Sequence, residues 1–72
     1  MRDILDALKK KYEAEVDIAK ATIQIYLDKP VGIGEHAQFA EEIDKQLEAI
    51  TCATDKIKAI DKHYPNEDDI PF

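Results

Sequence analysis

Glu35-His36 is the one adjacent carboxylate–imidazole pair in this 72-residue sequence, and so the first candidate for acid–base chemistry. Such catalysis needs the groups to converge in a pocket around a substrate. Here Glu35 falls in the first turn of a predicted helix, where negative charge suits the helix dipole, and His36 is expected on the surface. His63 is expected on the polar side of the same helix near its C-terminus, where a histidine is electrostatically comfortable. The single cysteine, Cys52, lies far from both histidines in sequence, so no metal-ligand spacing is present. An exposed lone thiol beside Glu48 and Asp55 is not an obvious nucleophile. With no disulfide partner in the chain, it points to a reducing, cytoplasmic setting.

Two further patterns invite chemistry. Pro30-Val31-Gly32-Ile33-Gly34-Glu35 places a Gly-x-Gly ahead of a helix, and helix N-termini bind phosphate. No strand precedes it, however, no Lys-Ser/Thr follows, and Glu35 repels an anion. Gly32 and Gly34 are therefore expected to serve the turn and the helix cap, with Val31 and Ile33 covering the end of the fold. Lys9-Lys10-Lys11 is a short basic cluster, but the same helix carries Asp3, Asp6, Glu13, Glu15 and Asp17, so a solvated face is expected. Ten basic residues against sixteen acidic ones give a net charge of −6, with a pI near 4.7 and a mean hydropathy of −0.46. That balance argues against direct nucleic-acid binding. No apolar run approaches a membrane span, and Met1-Arg2-Asp3 opens no signal peptide. The expectation is a non-enzymatic chain with no cofactor, no metal and no membrane contact.

What positions these residues is a pair of helices. Pro30, Gly32 and Gly34 cluster in one place, and Pro65 and Pro71 fall in the last eight residues. Proline removes an amide donor and disfavours helix in the residue before it. Between these stops the chain is rich in Ala, Leu, Ile, Glu, Lys and Gln, which favour helix. The pattern predicts one helix from Asp3 to Asp28, with Asp3 as N-cap, and a second from Glu35 to Tyr64. At about 1.5 Å per residue they run roughly 39 and 45 Å, similar enough to pair along their length. The fold class is thus all-α: an antiparallel two-helix hairpin over residues 1–64, with an acidic tail over 65–72.

Helical periodicity supports the pairing. In the second helix Phe39, Ile43, Leu47, Ile50, Ala53, Ile57, Ile60 and Tyr64 gather on one arc of about 160°. Ile43, Ile50, Ile57 and Tyr64 recur every seven residues, a coiled-coil signature. The first helix carries a stripe of Leu5, Leu8, Tyr12, Val16, Ala19, Ile23 and Tyr26. Beside it run Ile4, Ile18 and Ile25, with Ala7, Ala14 and Ala21 further round. The combined arc of about 220° exceeds what one partner helix buries. A small single core is marginal without a staple, and neither disulfide nor metal is on offer. Ile4, Ala7, Ala14, Ile18, Ala21 and Ile25 are therefore the expected self-interface, closing two hairpins into a four-helix bundle.

The tail is chemically the most specific segment. After Pro65 it reads Asn66-Glu67-Asp68-Asp69-Ile70-Pro71-Phe72. Apolar residues at a chain end have little reason to be there unless something receives them. As a peptide ligand the arrangement is apt. Phe72 suits an apolar pocket and its α-carboxylate an Arg fork, while Pro71 lowers the ordering entropy and the carboxylates suit a basic rim.

Asp68-Asp69-Ile70-Pro71-Phe72 closely resembles the C-terminal tip of bacterial single-stranded-DNA-binding proteins. In that family the tip docks on repair, recombination and replication enzymes. The resemblance implies partner-binding roles for Glu67, Asp68, Asp69, Ile70, Pro71 and Phe72, and host proteins that recognise this tip as partners. The family's OB-fold is not implied, since nothing upstream reads as strands. Separately, Tyr26-Leu27-Asp28-Lys29-Pro30-Val31-Gly32-Ile33-Gly34-Glu35-His36 is similar to small uncharacterised helical proteins of large contractile-tailed bacteriophages. Together these imply a phage protein engaging host DNA metabolism in the bacterial cytoplasm. The competing expectation is a small helical structural or assembly component of a phage virion.

Overall fold

The computed structural model describes residues 2–28 and 36–65, with backbone alone at His36 and Ala37. These form two helices, α1 (Arg2–Asp28, 27 residues) and α2 (His36–His63, 28 residues). No strand occurs among the described residues. Helix formation follows from composition: no Gly or Pro interrupts either segment, and both are rich in strong helix formers. Asp3 was expected to cap α1 but lies inside its first turn, because the helix begins at Arg2. There its carboxylate still faces the positive end of the dipole. Lys62 and His63 occupy the last turn of α2, where positive charge is favourable.

The helices pack antiparallel, as contacts at both ends establish. Near the connection, the rings of Tyr26 and Phe39 meet edge-on, with centroids 5.2 Å apart and planes at 66°. At the other end Arg2 Nη1 donates to the Tyr64 carbonyl, and Lys9 Nζ sits 2.8 Å from Asp61 Oδ1. Between them the Lys56 ammonium lies 5.1 Å from the Tyr12 ring centroid, within cation–π range.

The core is a single seam. Ala19, Ala53 and Ile60 are buried, and Leu5, Leu8, Tyr12, Val16, Ile23 and Tyr26 of α1 are half-buried along it. From α2 come Phe39, Ile43, Ile50 and Ile57, also half-buried. Two alanines at the most enclosed positions let the backbones approach closely, at the cost of little apolar volume. Leu47 and Tyr64 were expected on the buried arc of α2, yet they are 50% and 59% exposed. The reason is geometric. Leu47 lies about 100° round from the centre of the contact, and one neighbouring helix does not reach that far. Tyr64 stands past the last turn, with its amide on the Ile60 carbonyl at 2.8 Å.

Candidate functional site

Six residues were expected to form a self-interface, and all six lie exposed on one side of α1. Ile4, Ile18 and Ile25 are 59%, 66% and 66% exposed; Ala7, Ala14 and Ala21 are exposed with them. At 100° per residue the centre of this row is about 140° from the seam that faces α2, so the row points away from it. The isoleucines follow a seven-residue spacing whose missing member is Lys11, and the alanines follow one whose next member is Asp28. The row thus reads Ile4, Ala7, Lys11, Ala14, Ile18, Ala21, Ile25, Asp28: a second heptad seam with two charged positions. Lys11 and Asp28 were missed by looking for apolar side chains alone; the spacing itself would have found them.

Local bonds brace this row. Thr22 Oγ1 donates to the Ile18 carbonyl at 2.8 Å, and Gln24 Nε2 donates to Asp28 Oδ1 at 2.9 Å. Leu27, 64% exposed, lies off the row on the other side of the hairpin. Leu47 also sits away from it, on α2, where Thr51 Oγ1 returns a hydrogen bond to the Leu47 carbonyl at 3.0 Å.

A cleft of about 420 Å³ lies at the connection end, lined by Tyr26, Gln38, Phe39, Glu41 and Glu42. Among the described residues its charged groups are two carboxylates on one helix, with the edge of the aromatic pair beside them. This set brings no nucleophile to a base. Cys52 is exposed. No group of three His, Cys, Asp or Glu side chains capable of holding a metal occurs among the described residues. Within the same residues, no helix is long and apolar enough to cross a membrane. The tail residues Glu67, Asp68, Asp69, Ile70, Pro71 and Phe72, like Gly32, Gly34 and Glu35 of the connection, lie outside the described residues.

The chain matches no family model, no curated protein and no solved structure. The candidate functional features are therefore those its own residues supply: the exposed seam of α1 and the acidic-to-apolar tail sequence.

Proposed function

We propose that this protein is a non-enzymatic interaction module in which a helical hairpin carries a peptide ligand on its C-terminal side. The carrying observation is the sequence Asp68-Asp69-Ile70-Pro71-Phe72, which resembles the tip of bacterial single-stranded-DNA-binding proteins. Phe72 is the anchor, and Glu67, Asp68 and Asp69 are the electrostatic guide. Partners are the repair, recombination and replication proteins that recognise that tip, engaged in a bacterial host by a phage-encoded chain. A hairpin with one seam and an open cleft supports binding better than catalysis, which needs enclosed convergent groups.

Burying a phenylalanine contributes about 1.5–3 kcal/mol, and a charge-assisted contact to one of the side-chain carboxylates about 1.5–3 more. With smaller contributions from Ile70 and Pro71, one tip reaches roughly micromolar affinity. The test uses the immobilised full chain, a variant lacking Phe72 and one with a single residue appended after Phe72, each exposed to bacterial lysate. A synthetic peptide bearing the tip of the host single-stranded-DNA-binding protein is the competitor. Both alterations should lower capture at least tenfold without loss of helicity, and the peptide should displace what the intact chain captures. Capture that survives both alterations and resists the peptide would sink the reading. A second reading, a structural or assembly component of a virion, is favoured by the exposed seam of α1 and takes over in that case.

A further inference from the structure

We propose that α1 pairs antiparallel with α1 of a second copy, in the register that sets Lys11 against the partner's Asp28. This builds on the expected self-association and is independent of the tail reading. In that register Ala14 faces the partner's Ile25 and Ile18 faces the partner's Ala21, and two-fold symmetry repeats all three pairs. Each large side chain of the overlap meets a small one, so the backbones approach closely without voids. The two charged positions of the seam meet each other at both ends. Gln24 holds Asp28 through Oδ1, which leaves Oδ2 for the lysine of the other copy.

Alternatives leave charges badly placed. Parallel pairing stacks Lys11 on the partner's Lys11 and Asp28 on the partner's Asp28, a like-charge arrangement at both positions. An antiparallel register shifted by one heptad sets Lys11 against the partner's Ala21 and Asp28 against the partner's Ile4, facing charge to apolar surface. The flanks agree with the proposed register. Glu15 comes level with the partner's Gln24 and Asp17 with the partner's Thr22, so neither carboxylate meets a like charge.

The overlap from residue 11 to residue 28 runs about 27 Å on helices about 10 Å wide, a footprint on the order of 300 Å² per copy. This is below the ~800 Å² per partner of a standard interface, and the dimer is accordingly reversible, with a dissociation constant between about ten micromolar and one millimolar. It also places the two C-terminal ends of α2 at opposite ends of the assembly.

Sedimentation of the full chain from about ten micromolar to one millimolar tests the pairing. Lys11→Glu and Asp28→Lys should each weaken the dimer about tenfold by putting like charges together twice. The double variant restores opposite charges and should return to within about threefold of wild type. Ile18→Glu should abolish dimerisation while leaving helicity unchanged, since Ile18 is 66% exposed in the single hairpin. Spin labels at Lys62→Cys, in a Cys52→Ser background, should lie about 45 Å apart. A wild type that is monomeric at one millimolar overturns the proposal. So does a double variant as weak as the single ones, or a label distance below about 30 Å.

Discussion

Lys9 Nζ lies 2.8 Å from Asp61 Oδ1 and ties the first part of α1 to the last turn of α2. The lysine side chain is 33% exposed and the aspartate 51%, so the pair sits in high dielectric and is screened by salt. It fixes the antiparallel register at that end more than it stabilises the fold.

Replacing Asp61 with Asn should accordingly change the unfolding free energy by about 0.5 kcal/mol or less. The difference should fade between low and high salt. Urea titrations of both proteins at two ionic strengths measure it.

Ile60 is 8% exposed and is the largest side chain among the buried residues. Ile60→Ala removes apolar area and leaves a cavity, which costs about 2–4 kcal/mol. In a domain this small each kcal/mol corresponds to roughly 4–8 °C. The variant should melt at least about 8 °C lower by circular dichroism, or fail to fold.

Ala53 is 1% exposed at a position where the helices come together. A larger residue there forces the backbones apart. Ala53→Leu should destabilise the hairpin by about 1–3 kcal/mol through overpacking, whereas Ala14→Leu, on the exposed row, should leave monomer stability nearly unchanged. The contrast separates the inner seam from the outer one by denaturant titration.

For the tail, Asp68→Asn with Asp69→Asn should weaken partner capture less than loss of Phe72 does. The weakening should show mainly at low salt, because rim charges guide association and are screened. Capture measured at two salt concentrations decides it. An effect equal to that of losing Phe72 would make the acidic run the anchor.

Both helices were legible in the sequence because periodicity and punctuation agreed. Pro30, Gly32, Gly34 and Pro65 bracket segments whose apolar residues recur at helical spacing. The inner stripe of α1 was legible for the same reason. Leu47 and Tyr64 were not, since a wheel records angle alone, while burial depends on how many neighbours stand around the helix. The outer row of α1 was visible as an excess of apolar arc beyond what α2 covers. Its charged members, Lys11 and Asp28, escaped a search for hydrophobic side chains. The connection and the tail offer turn and ligand chemistry but no periodicity, and chemistry of that kind says what a segment can contact without saying where it lies.

The clasp of Tyr26 and Phe39 closes the shortest circuit between the helices, whereas Lys9 meets Asp61 across 52 positions and Arg2 meets Tyr64 across 62. Loop-closure entropy grows with the logarithm of that separation. Once the ring pair has formed, each later contact has only the chain beyond the ring pair left to order. Loop closure alone therefore favours pairing from the Tyr26–Phe39 end and opening from the Arg2–Tyr64 end. Amide exchange protection should fall along the rod in the same direction. The tail sequence begins at the end that opens first, and a pull on it is met turn by turn rather than by the whole seam at once.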